Sequence, residues 1–168
     1  CYNLIKKDGV RFMSWKLKEE DLQFIEENEE QIKGYVGKKG EQYINIWREG
    51  KKINPAALFL GVAWLGYRGM YKIIMYLLVA FVLTDILMIF LRIDLSRISG
   101  IVGGVILGIY GSYWYFLQVK KDILAGKEKC IDGGVGVVLS LVMLAGYVLF
   151  SVYVVDTFFY YMLYGYYY

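Results

Sequence analysis

Three long apolar runs constrain this chain more than any other feature. Residues 73–91, 98–119 and 133–155 comprise nineteen, twenty-two and twenty-three positions. As helices they extend about 28 to 34 Å, enough to cross a hydrocarbon layer of about 30 Å. A fourth run, residues 55–67, is equally apolar but has only thirteen positions. At about 20 Å it does not cross unaided. Whether that short run crosses, lies flat or dips in and returns decides the topology of everything after it.

Charge divides the chain in two. Residues 1–54 hold eleven Lys/Arg and ten Asp/Glu; residues 55–168 hold eight and six. Residues 1–52 are therefore expected to form a solvated helical segment, and residues 53–168 a membrane domain. The expected fold class is an all-α integral membrane protein with a short cytoplasmic helical headpiece, one re-entrant or interfacial helix and three transmembrane helices. The net charge of +3 is too small and too dispersed for a nucleic-acid-binding protein. Two cysteines without CxxC spacing and no histidine argue against a zinc site and most acid–base chemistry. No cofactor is expected. Cys1 at the start fits either a processed lipoprotein or a truncated or substituted beginning, and the second is preferred.

In the headpiece, Leu22, Ile25, Ile32 and Tyr35 recur at helical spacing over residues 17–36, with Gly37 as a stop. The acidic remainder of that helix is read as an ordinary solvated face in preference to a docking surface or cation site. A second helix, residues 41–49, carries Tyr43, Ile46 and Trp47 on one side and is followed by Lys51 and Lys52. Aromatic residues and lysines of this kind suit a helix on the bilayer surface, or one packed on the first helix. Asn54 is a fitting N-cap and Pro55 a fitting first residue for the short apolar helix.

The positive-inside rule arbitrates the topology. If residues 53–69 re-enter without crossing, the N-terminal segment, Arg68, Lys72 and the lysines at 120, 121, 127 and 129 share one side. If they cross, the lysine-rich loop changes sides. The first arrangement is expected: three spans, N-terminus in the cytoplasm, C-terminus outside. Arg92, Asp94, Arg97 and Asp156 would then form an outer rim, and the uncharged aromatic tail, residues 157–168, would fold along the outer interface. Cys130 would lie on the cytoplasmic side.

The stretch YVGKKGEQYINIWREGKKINPAALFLGVAWLGYRGMYK carries a family pattern: Val36–Gly37, Tyr43, then Asn54–Ala56–Ala57, then Trp64–Tyr67–Arg68–Met70–Tyr71. With GIYGSYWYFLQVKKDI at residues 108–123, it resembles a widespread family of small bacterial membrane proteins of unknown function. The resemblance covers roughly residues 35–123. It implies a membrane location and no established activity. The family often has Gly-Pro before the tryptophan, where this chain has Gly61 and Val62, without the proline's kink.

Three groups of residues are candidates for a role. Trp47, Trp64, Tyr67, Arg68 and Tyr71 are expected as interfacial anchors or lipid-headgroup contacts, with Trp64, Tyr67 and Tyr71 on one helical stripe. Asp85 lies within an apolar run, a candidate intramembrane polar site. It is read either as a proton or cation site or as a hydrogen-bond partner for Tyr110, Tyr113, Tyr147 or Arg92. Gly100, Gly104, Gly108 and Ser112, four apart, form a small-residue ladder for helix packing, within one chain or in a homo-oligomer, with Gly136 and Ser140 a smaller matching groove.

No nucleophile–base pair, P-loop or GxSxG motif is present. The expected function is a noncatalytic membrane adaptor, with membrane lipid and another membrane protein or a second copy as partners and no nucleic acid. The alternative is a small oligomeric channel with Asp85 on a polar path.

Overall fold

The computed structural model describes residues 15–50, 53–91, 96–127 and 133–164, without the side chains of residues 96, 97, 155, 156 and 159–164. Cys1, Cys130, the lysines at 51, 52 and 129, and the side chains of the expected Arg92–Asp94–Arg97–Asp156 rim lie outside these residues. Eight helices occupy the described chain. In the headpiece are α1 (Glu19–Glu27), α2 (Glu29–Val36) and α3 (Gly40–Glu49). Two six-residue helices follow, α4 (Pro55–Leu60) and α5 (Val62–Tyr67). The long helices are α6 (Tyr71–Leu91), α7 (Ser96–Leu124) and α8 (Gly133–Tyr164).

Local chemistry explains most boundaries. Gly37, with φ of 78°, ends α2, and Gly50 in the left-handed region ends α3. Asn54 caps α4 by accepting the Ala57 N–H at 3.1 Å, with Pro55 in the first turn where it removes no helical hydrogen bond. The single expected helix over residues 17–36 is instead broken at Asn28, whose backbone (φ −119°, ψ 22°) leaves the helical region. The expected short apolar helix is likewise two, divided at Gly61 (φ 48°, ψ −116°), a conformation that a side chain would strain.

That break turns α4–α5 into a hairpin against α7. The Asn54 N–H donates to the Gly108 carbonyl at 2.7 Å. Further along α4, the Leu58 carbonyl and side chain flank Gly104 and Gly108. On the return, Trp64 lies beside Gly111, and Gln118 donates to the Gly69 carbonyl at 3.3 Å. The chain thus runs from the level of residue 108 toward residue 104 and back to residue 118, leaving toward the end from which it came. From turn to exit it spans about 21 Å along α7 at the helical rise.

Small residues admit the hairpin on both sides. A Cβ on Gly108 would press Leu58 at 3.0 Å, and one on Gly111 would press Ala57 at 3.1 Å. On the other side, Gly66 of α5 meets Gly136 and Ser140 of α8 so closely that a Cβ on either glycine would overlap the partner's backbone carbonyl. The glycine ladder therefore packs within the chain, but not as a uniform stripe: Gly104, Gly108 and Ser112 line the hairpin, while Gly100 faces open space. Gly136 and Ser140 receive α5 rather than the ladder on α7.

One core crosses the expected boundary at residues 52/53. It joins Ile25 and Ile32 of the headpiece, Trp47, Leu65 of the hairpin and Ile74 of α6 to Tyr115, Phe116 and Val119 of α7. Beyond it, α6, α7 and α8 each contain a segment long and apolar enough to cross a membrane: Tyr71–Leu91, Ile98–Leu124 and Gly133–Val154. Much of their apolar surface is uncovered; Phe90 is 83% exposed and Leu149 72%. α8 runs on to Tyr164, so the first two thirds of the expected interfacial tail continue the helix instead of folding aside.

Candidate functional site

The headpiece, the hairpin and α7 meet around Arg68. Its guanidinium carbon lies 4.3 Å from the centroid of the Tyr43 ring on α3, 4.9 Å from Tyr115 on α7 and 5.3 Å from its neighbour Tyr67. Arg68 is 4% exposed, and its Nη1 lies 3.4 Å from the Tyr115 hydroxyl as donor. Its Nε has no hydrogen-bond partner among the described residues. No ion pair joins Arg68 to a carboxylate among the described residues. Its buried charge is offset by aromatic faces, each on the order of 0.5–2 kcal/mol when partly desolvated.

Trp47 forms the second tie. It is fully buried, its indole N–H donates to the Ser112 carbonyl at 2.9 Å, and its ring packs against Tyr43, Tyr115 and Phe116. Ser112 Oγ also accepts from Asn54 Nδ2 at 3.0 Å, so one residue of α7 fixes both the end of α3 and the start of α4. Trp64, 4% exposed, completes the seam edge-on to Tyr115 at 6.3 Å.

These positions correct the interfacial-anchor expectation. Trp47, Trp64 and Arg68 do not reach outward to headgroups; they are enclosed by protein. Tyr67 is 47% exposed and flanks Arg68 and Gly133. Tyr71 is partly buried, its hydroxyl against Gly136 without a hydrogen-bond partner among the described residues. The reason is that α7 continues past the hairpin, and α1–α3 cover that extension. In α3, Tyr43 and Trp47 pack against α7, while Arg48 reaches back to Glu29 of α2. Tyr115 was missed as a site residue. Its spacing from Gly108 and Gly111, seven and four, continues the small-residue face and marks the position.

Polar ties secure the headpiece to the end of α7. The Tyr35 hydroxyl donates to Asp122 Oδ2 at 2.6 Å, and Lys120 pairs with Asp21 at 2.6 Å beside the Phe24 ring. Burial first, and then the bond to Asp122, raise the Tyr35 hydroxyl well above the usual tyrosine range. On the outer helices of the headpiece, Glu29 joins Lys33 and Arg48 at 2.6 and 2.8 Å, and the bond to Lys33 holds its carboxyl below its usual value.

Asp85 sits apart from this seam. It is 9% exposed, and its Oδ2 accepts from the Tyr147 hydroxyl at 2.9 Å and from Ser151 Oγ at 2.7 Å, both on α8. Tyr147 is one of the partners expected for it; Ser151 was not foreseen, and Tyr110 and Tyr113 are not bonded to it.

The fold and seam define an all-helical protein with three helices of membrane-spanning length and composition, pinned together around a broken helical hairpin. Residues 18–121 match the family model described as Protein of unknown function (DUF2628), and the chain belongs to that family. The match takes in the headpiece, the hairpin, α6 and nearly all of α7, which together contain the whole Arg68 seam. No curated protein and no solved structure matches the chain.

Proposed function

We propose that the protein is a noncatalytic adaptor of the bacterial cytoplasmic membrane. In this reading α6, α7 and α8 cross the bilayer, α4–α5 re-enters from the cytoplasmic side, the headpiece is cytoplasmic and the end of α8 is outside. The hairpin's return toward its own side of α7 supports re-entry, as does the uncovered apolar surface of α6 and α8, which suits lipid rather than water.

The observation that carries the adaptor reading is the shared core at Trp47 and Arg68. A headpiece joined to a membrane domain by a flexible linker needs no such seam. Here α1–α3 are held in one orientation, so that Glu19, Glu20, Glu26, Glu27 and Glu30 present a fixed acidic surface. A surface of that sign suits a basic face on a partner protein. Asp85 has two hydroxyl donors from its own chain, which supports a helix-joining role and leaves the channel alternative without an observation of its own.

Crosslinking in native membranes tests this. A discrete protein partner, lost when Glu19, Glu20, Glu26 and Glu30 are changed to lysine, is the expected result. Crosslinks only between copies of this chain would count against the adaptor and favour an oligomeric channel.

A further inference from the structure

A groove of 510 Å³ opens between the start of α6 and the end of α7, beside the Arg68 seam but separate from it. Lys72, Lys121 and Lys127 line it, with Asp122, Trp114 and Tyr76. Its charge is lopsided, and its one carboxylate already accepts the Tyr35 hydroxyl. Lys120, the neighbouring lysine, is committed to Asp21, whereas Lys72 and Lys121 have no ion pair among the described residues. Lys72, Lys121 and Lys127 are exposed, and the backbone of Lys127 is held by the turn ending α7. There the Gly126 N–H bonds the Ile123 carbonyl and the Lys127 N–H the Asp122 carbonyl, both at 2.9 Å. This turn satisfies carbonyls that would otherwise repel an anion.

Depth and wall chemistry narrow the ligand. α6 is about 30 Å long from Leu91 to Tyr71, so a span ending in hydrocarbon at Leu91 brings Lys72 to the opposite headgroup layer. Tyr76, one turn deeper, is 71% exposed, and Trp114 is partly buried at the same level. Basic groups above and aromatic walls below match a phosphate on a glycerol backbone with acyl chains running down α6. The volume falls within the usual range for small-ligand sites.

We infer that the groove between α6 and α7 binds the phosphate headgroup of an anionic phospholipid through Lys72, Lys121 and Lys127. The inference rests on the reading of α6 and α7 as spans. It moves the headgroup contact from Arg68, which is enclosed, to lysines that reach the surface.

The test is native mass spectrometry of the full chain in detergent, titrated with phosphatidylglycerol or phosphatidylcholine of identical acyl chains. One phosphatidylglycerol per chain should bind preferentially. Lys72→Gln with Lys121→Gln should weaken it about 25-fold, at roughly fivefold per lysine. Lys38→Gln with Lys39→Gln, equal in charge but in the exposed turn before α3, should leave it unchanged. Inorganic phosphate at millimolar concentration should not displace the lipid. In the unmutated chain, phosphatidylglycerol brominated on its acyl chains should quench fluorescence that Trp114→Phe removes. Equal retention of the two lipids, equal losses in both lysine pairs, displacement by phosphate, or quenching insensitive to Trp114 would each overturn the inference. Alkaline extraction of membranes separates the two failures: release of the chain overturns the spans as well, whereas retention without lipid preference overturns the groove alone.

Discussion

Trp47 and Ser112 are sixty-five residues apart, and the indole N–H of one donates to the backbone carbonyl of the other at a fully buried point. This bond registers α3 against the middle of α7. Replacing Trp47 with Phe removes the donor and part of the ring, with an expected loss of about 1–2 kcal/mol. Trp47→Ala leaves a cavity between Tyr115 and Phe116, with a loss of about 3–5 kcal/mol. Thermal unfolding in detergent measures both. Limited proteolysis should also release residues 15–50 more rapidly from the alanine variant, because the headpiece loses its deepest anchor.

The contact between α5 and α8 makes a sharper prediction. Gly66 and Gly136 each leave no room for a methyl group, because the obstruction is backbone. Gly66→Ala and Gly136→Ala should each destabilise by about 3 kcal/mol through forced separation of the helices. Gly100→Ala, on the same kind of apolar helix but in open space, should be neutral or stabilising by up to about 1 kcal/mol. Equal effects at the three positions would contradict the packing.

Arg68 distinguishes stacking from charge. Lysine keeps the charge but not the plane that lies against Tyr43 and Tyr115, so Arg68→Lys should cost about 1–2 kcal/mol. Arg68→Met keeps the length, removes a buried charge that has no carboxylate partner among the described residues, and should stay within about 1 kcal/mol of the native protein. Detergent-denaturation midpoints of the two variants rank them directly.

How far all this was legible from the residues depends on the range of each signal. Asn54, Pro55 and Gly37 act on their own few neighbours, and those readings match the structure. The three apolar runs announce themselves by length. Gly61 does not, since a glycine inside an apolar run leaves hydropathy unchanged while permitting the turn that makes the hairpin. Trp47 and Arg68 misled for a different reason: aromatic and basic residues near an apolar run look the same whether they meet headgroups or another helix. Only the partners, Tyr115 and Ser112, separate the cases, and they lie forty-seven and sixty-five positions away.

Asp85 should behave as a joint between α6 and α8. Asp85→Asn retains an oxygen for the Tyr147 or Ser151 hydroxyl, so the loss should be within about 1 kcal/mol. Asp85→Ala leaves both donors unmatched and should lose about 2 kcal/mol. A cycle pairing Asp85→Ala with Tyr147→Phe should show coupling of about 0.6–1.7 kcal/mol. Proton flux into liposomes should be the same with the native chain and the Asn variant; a flux lost on this change would restore the channel.

Tyr35 and Asp122 predict an alkaline limit to headpiece docking. The folded state raises the Tyr35 hydroxyl above its usual value, chiefly by burial and then by its bond to Asp122. The unfolded chain surrenders that proton near pH 10, while the folded chain retains it. The stabilisation is therefore fully present below about pH 10 and is lost as the pH rises through the higher folded value. Tyr35→Phe has no such proton. Its stability should fall less steeply than that of the native chain between about pH 10 and 12, a difference seen by following unfolding in detergent across that window. Parallel pH profiles for the two proteins would show that the Tyr35–Asp122 bond does not hold the headpiece to α7.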